Sequence, residues 1–266
     1  MNTVPAGCGW NWVRTGFALF RKNPAMWAFL VFSYVMLMQL LGMIPVVGWF
    51  AATVLIPAFS ASFMIVSREL DQGNKLEIGL LFSGFRSNLP ALLGQGGLYL
   101  ASALAILGLS ALVDGGLLLQ LMALGERPPA SAFEDGSLAV AAALAGALYL
   151  PVLAAFWFAP ALSAWRKLPA VQALFYSLFA AFRNWRAFFA YGAALLLLGL
   201  VCSFALFLLA LLLQGLLGQH AQNTFLLVVL PVMLTYVPIL FASFYASYRD
   251  IFPQPVAAAG AAADGP

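Results

Sequence analysis

Residues 188–213 read FFAYGAALLLLGLVCSFALFLLALLL, an unbroken apolar run without one Asp, Glu, Lys, Arg or His. An α-helix needs roughly 20 such residues to cross about 30 Å of hydrocarbon, and this stretch exceeds that length. Its apolar residues do not alternate with polar ones as the two faces of a barrel strand require, so the segment is a spanning helix. Five further stretches pass the same test: 24–44, 46–66, 89–112, 138–162 and 225–247, all free of charged residues and histidine. The chain is thereby predicted to be all-α and polytopic, with six transmembrane helices in one domain over residues 1–252 and a disordered tail over 253–266.

Composition excludes the soluble alternatives. Of 266 residues, 64% are apolar and only 8% are charged, whereas soluble domains carry about 25% charged residues. Mean hydropathy is +0.98. Aromatic content of 14% argues against disorder, and the 15 Pro and 23 Gly follow no collagen period. The 12 basic residues form no cluster suited to nucleic acid. Cys8 and Cys202 are assigned to different compartments, which argues against a disulfide, and neither has a neighbouring histidine or acid to build a thiol or metal site. Arg14, Arg21 and Lys22 precede a stretch of full spanning length that lacks a small-residue cleavage site, so a cleavable signal peptide is not expected.

Within this frame, GMIPVVG around Pro45 predicts a tight turn between the first two spans. Residues 113–136 read as a re-entrant or amphipathic piece over 113–125 followed by an exposed loop, the alternative being a longer, tilted third helix. Orientation follows from the basic residues. Arg14, Arg21, Lys22, Arg68, Lys75, Arg86, Arg166, Lys167, Arg183, Arg186 and Arg249 fall on one side of a six-span arrangement, leaving Arg127 alone on the other. The positive-inside rule makes the basic side cytoplasmic, with both termini inside a bacterial inner membrane.

Short signatures repeat along the chain. LFRKNPAMW from Leu19, GFRSNLPAL from Gly84 and AFRNWRAFF from Ala181 each place a Phe-Arg pair and an Asn just before a span. Apolar residues at helical spacing precede each one: Trp10, Val13, Phe17 and Phe20; then Ile78, Leu81, Phe82 and Phe85; then Val171, Leu174, Phe175, Leu178 and Phe182. These are read as amphipathic helices lying in the interface. Pro57, Pro160 and Pro238 recur near the ends of the even spans, ahead of Arg68, Arg166 and Arg249. The predicted unit is a surface helix and a helical hairpin, repeated in parallel over about 8–66, 74–162 and 168–247.

Few residues in the spans suit chemistry. No Ser-His-acid set occurs, and His220, in the short loop GQHAQN, reads as a solvated turn residue. No charged residue lies at membrane depth to form a proton relay or an ion path. No catalytic residue, metal ligand or cofactor site is assigned. The candidate site is instead a set of arginines. Arg21, Arg86 and Arg183 occupy equivalent repeat positions, and Arg68, Arg166 and Arg249 leave the even spans. Packed about an axis, the six would ring the cytoplasmic interface and hold phosphate headgroups, although topological anchoring also accounts for them.

GFALFRKNPAMW, SRELDQGNKLEIGLLFSGFRSN and FAPALSAWRKLPAVQALFYSLFAAFRNWRAFF together resemble a family of uncharacterised proteobacterial inner-membrane proteins, over about residues 5–250. More distantly, the stretch from Ala159 to Phe189 is similar to YciC-like proteins and to the membrane domain of some glycerophosphodiester phosphodiesterases. In those phosphodiesterases a separate soluble domain carries the chemistry. This chain has no counterpart to it, so the resemblance implies a six-helix membrane module and no catalytic residues. The expected function is a non-enzymatic inner-membrane module that binds lipid, anionic phospholipids among them, or a partner membrane protein, in support of envelope homeostasis. The alternative is a transporter or flippase for an apolar or amphiphilic molecule.

Overall fold

A computed structural model describes residues 1–45, 47–124, 133, 136–217 and 224–252, and among these all regular structure is helical. The helices are α1 (Cys8–Lys22), α2 (Pro24–Gly42), α3 (Val47–Asp71), α4 (Leu89–Asp114), α5 (Ser137–Arg166), α6 (Ala170–Arg183), α7 (Trp185–Leu217) and α8 (Thr224–Ile251). Six of them, α2 to α5 with α7 and α8, are long and apolar enough to cross a membrane. The protein is an all-α, polytopic membrane protein. Arg127, Glu134, His220 and the tail 253–266 lie outside the described residues.

Local sequence sets the element ends. Asn23 caps α2 by accepting a hydrogen bond from the Met26 amide at 3.2 Å, and Pro24 follows at the position where a missing N–H costs nothing. After α4, Gly115 and Gly116 adopt positive φ of 65° and 95°, which leaves amides for a side chain to satisfy. The buried Asp114 carboxylate accepts from the Gly116 amide at 2.9 Å and the Leu118 amide at 2.7 Å. One helical turn, Leu117–Leu119, and a wider π turn, Gln120–Leu124, complete the described part of this segment.

The second of the three anticipated surface helices is different in kind. Residues 78–86 form two 3₁₀ turns, Ile78–Phe82 and Gly84–Arg86. Ser83 and Ser87 donate to the carbonyls of Leu80 and Gly84 at 2.7 and 2.6 Å, local bonds that compete with a continuous α-helix.

Contacts gather the chain into two compact units, Lys22–Phe182 and the combination of Met1–Arg21 with the residues from Arg183 onward. In Lys22–Phe182, α3 is central and buries Pro57, Ala58, Phe59, Ala61, Ser62, Phe63 and Met64. Aromatic rings fill the space around it. Trp27 stacks on Phe63 at 6.2 Å, Tyr34 lies 5.1 Å from Phe59, and Phe85 meets Phe59 edge-on at 4.9 Å. Small residues bring backbones together: Gly96 of α4 lies against the Val54 carbonyl with no room for a methyl group. Between α4 and α5, Gln95 donates to the Ala159 carbonyl at 3.1 Å and the Ser163 hydroxyl at 2.7 Å.

The other unit holds α1, α7 and α8. Trp12, fully buried, packs edge-on against Phe188 and Tyr191, each at 5.7 Å, and donates from its indole nitrogen to Asp250 at 2.8 Å. The N-terminal strand of coil is tied down as well. The Asn2 amide donates to the Ile251 carbonyl and the Val4 amide to the Asn184 side chain, both at 2.8 Å.

Candidate functional site

All six candidate arginines occupy the C-terminal turn of a helical segment. Arg21 lies in the last turn of α1, Arg86 ends the second 3₁₀ turn and Arg183 ends α6, while Arg68, Arg166 and Arg249 lie in the last turns of α3, α5 and α8. Helix C-termini present unpaired carbonyls and partial negative charge, so a cation at each is favourable by itself. Three of the guanidinium groups also lie over aromatic faces: Arg21 over Phe17 at 5.8 Å, Arg68 over Trp165 at 5.6 Å and Arg249 over Tyr245 at 6.0 Å. Such stacking holds the flat side of the guanidinium group.

Within Lys22–Phe182, the Arg68–Trp165 contact brings the end of α3 to the end of α5, where Arg166 is the next residue. The exposed Arg86 side chain makes no hydrogen bond or ion pair among the described residues. In the unit containing α7 and α8, the Arg183 Nε donates to the Thr3 hydroxyl at 2.7 Å. Arg249 lies beside Asp250 at 4.0 Å, the carboxylate that also receives the Trp12 indole proton.

Two glycine contacts share a geometry that the sequence alone does not display. In one unit, Gly84 is seated on α3 so closely that a methyl group would strike the Ala58 carbonyl oxygen and come within 2.9 Å of the Ser62 hydroxyl. Its amide donates to that hydroxyl at 2.9 Å. In the other unit, Gly16 of α1 is seated on α8, where a methyl group would lie 2.6 Å from the Ile239 carbonyl oxygen and 3.0 Å from the Ser243 Cβ. Ala58 and Ile239 each follow a helix proline, Pro57 or Pro238, by one residue, and Ser62 and Ser243 each follow it by five. Two surface segments thus dock on the same register of two proline-containing spans.

For α6 the contact uses a serine in place of glycine. Ser177 donates to the Ala154 carbonyl and accepts from the Phe158 amide of α5, at 2.9 and 2.8 Å. The buried face of α6 is built from small residues, Ala173, Ser177, Ala180 and Ala181, and that of α1 mixes Gly9 and Gly16 with Trp12, Val13 and Leu19. The large apolar residues Trp10, Phe17, Val171, Phe175 and Phe182 point outward. A hydrophobic pattern alone marks that second face, which is why glycine and serine at the docking positions were missed.

Polar groups elsewhere in the spans are tied to one another. Tyr99 and Tyr149 share a hydrogen bond between α4 and α5. Asn88 donates to the carbonyls of Ser163 and Leu168 at 3.2 and 3.4 Å, and Lys167 donates to the Ser87 carbonyl at 2.9 Å. Cys8 and Cys202 are free thiols. Burial pushes the Cys8 thiol pKa up, and the Asp250 carboxylate adds to the shift. Among the described residues, no three His, Cys, Asp or Glu side chains come together as a metal site.

Comparison with known proteins gives a relative along nearly the whole chain. A Burkholderia thailandensis protein, described as a probable inner membrane protein, is 41% identical over 255 residues, covering 94% of this chain and 92% of its own length. No family model matches the chain, and no solved structure matches it.

Proposed function

The chain belongs to the family of this inner-membrane protein, and from that premise we propose that it is a non-enzymatic, multi-pass module whose cytoplasmic face holds anionic phospholipid headgroups. Its architecture in this reading is three parallel repeats, each a segment lying in the interface followed by a helical hairpin. The observation that carries it is the common seat of Gly16 on Ile239 and Ser243 and of Gly84 on Ala58 and Ser62. Arg68 and Arg249 each follow the proline of the docking span, Pro57 or Pro238, by eleven residues, while Arg21 and Arg86 are paired by the Phe-Arg motif they share. The outward Phe17, Phe175 and Phe182 then lie in the acyl boundary while the arginines reach the phosphates.

Placement of both termini in the cytoplasm rests on the positive-inside rule. Support for a holding role over a transporting one comes from α4 and α5, whose Gln95, Ser163, Tyr99 and Tyr149 bond across the helix pair. The likeness of Ala159–Phe189 to YciC-like and phosphodiesterase membrane domains supplies no activity to this reading.

Guanidinium groups satisfy two phosphate oxygens at once and ammonium groups do not. Arg86→Lys and Arg183→Lys are therefore expected to keep the topology, since the charge is retained, but to lose co-purifying phosphatidylglycerol and cardiolipin in native mass spectra. Equal retention by the parent and both variants would leave the arginines as topology determinants only.

A further inference from the structure

Between α1, α7 and α8 lies a cavity of about 530 Å³, in the size range of small-ligand pockets, walled by Val13 and Phe17 of α1, Leu198 and Cys202 of α7, and residues 231–239 of α8. Its wall is almost wholly apolar. The one hydroxyl with a resolved partner there, that of Thr235, is turned back to the Pro231 carbonyl at 2.9 Å. Pro231 and Pro238 lie inside α8 and lack the amides that would bond four residues back, conditions under which a helix bends away from its neighbour. At the α1 end the cavity is lined by Arg14, an exposed cation that makes no hydrogen bond or ion pair among the described residues.

An apolar trough running about 12 Å along a spanning helix, from Ile239 to Pro231, with one uncompensated cation at its surface-helix end, has the charge layout of a single amphiphile. We propose that this trough binds one anionic phospholipid, an acyl chain lying along Pro231–Ile239 and the phosphate meeting Arg14. Charge complementarity selects an anionic headgroup over a zwitterionic one, and a wall whose polar groups are few, the Tyr236 hydroxyl and Cys202 thiol beside the self-bonded Thr235, selects an acyl chain over a peptide. This site deepens the lipid-holding reading above but uses none of its six arginines, so the two stand or fall separately.

The test uses the full chain in nanodiscs of phosphatidylcholine doped with either phosphatidylglycerol or phosphatidylcholine bearing a diazirine in one acyl chain. After irradiation, adducts are mapped by mass spectrometry. The expected result is concentration of phosphatidylglycerol adducts on Leu198, Cys202 and the 231–239 segment, above those on the outward Phe204 and Phe207. Arg14→Gln should reduce the phosphatidylglycerol adducts there by about tenfold, the worth of a charged hydrogen-bonded contact, and leave phosphatidylcholine adducts unchanged. Thr235→Trp, which fills the trough, should abolish the concentration of adducts; Val232→Phe serves the same purpose if that variant fails to fold. Arg86→Lys and Arg183→Lys should leave the trough adducts as in the parent, whatever they do to total lipid retention.

Adducts spread evenly along α7 and α8, equal labelling by the two lipids in the parent, or indifference to Arg14→Gln would each overturn the proposal. So would a nanodisc mass corresponding to two chains with the trough unlabelled, which would assign it to a second copy.

Discussion

A methyl group at position 16 would sit 2.6 Å from the Ile239 carbonyl oxygen, and one at position 84 would strike the Ala58 carbonyl, so in both places the obstacle is a rigid helix backbone. Neither neighbour yields as a flexible side chain would. Gly16→Ala and Gly84→Ala should each cost about 1–3 kcal/mol through overpacking. Gly97 of α4 has open space around the corresponding direction, and Gly97→Ala should be neutral or stabilising by about 0.5–1 kcal/mol, because alanine is the better helix former. Thermal unfolding in detergent compares the three, and a Gly16 or Gly84 variant as stable as the Gly97 variant would remove the docking register. A second residue-scale expectation concerns Cys8. Burial and the Asp250 carboxylate both raise its pKa, so less thiolate is present at neutral pH than in an ordinary cysteine. Maleimide labelling of Cys8 in a Cys202→Ser background should be slow at pH 7 and accelerate only above the usual thiol range. Labelling at the rate of a free peptide cysteine at pH 7 would contradict the burial.

At the scale of elements, the surface segments differ in what holds them, and substitution should separate them. Phe182 is exposed at the end of α6, whereas the partly buried Phe85 sits against Phe59 at 4.9 Å and packs on the core of its unit. Phe182→Asp should reduce membrane association by about 1.5–3 kcal/mol, the worth of one large apolar side chain, and leave the packing of Lys22–Phe182 intact. Phe85→Asp should disrupt that packing outright, by on the order of 3 kcal/mol, since it opens a cavity and buries a charge. Protease resistance of membrane-inserted protein reads both, and identical behaviour of the two variants would refute the distinction. The spans were legible in the sequence to within a few residues, because continuous apolar runs with charged ends leave one reading: 24–44 became Pro24–Gly42 and 138–162 became Ser137–Arg166. The surface elements were legible only in part. Their outward faces are marked by large apolar residues, while their docking faces are marked by Gly16, Gly84 and Ser177, whose smallness is informative only once the opposing backbone is known. Gly84 and its flanking serines also turned the anticipated second helix into two 3₁₀ turns.

On the scale of the whole molecule, alanine and serine are prominent among the buried residues, beside leucine and aromatic rings, and the exposed face of α7 carries large Phe and Leu side chains, among them Phe189, Leu196, Phe204 and Leu212. Such an exposed apolar surface differs from a soluble protein's and follows from lipid offering no penalty to it. The arginines were legible as candidates from their repetition and from their places at the ends of spans and surface stretches, while the aromatic rings under Arg21, Arg68 and Arg249 were not, since those depend on packing. Their proposed work on phospholipid requires that they share one side of the membrane, which makes sidedness the claim on which the account rests. In a Cys8→Ser, Cys202→Ser background, single cysteines at Ser131 and at Gln72, the latter in the turn after α3, can be labelled in intact and in permeabilised cells. The account predicts that Ser131→Cys reacts with an impermeant maleimide in intact cells and that Gln72→Cys reacts only after permeabilisation. The reverse pattern, or reaction of both from outside, would contradict a cytoplasmic basic face.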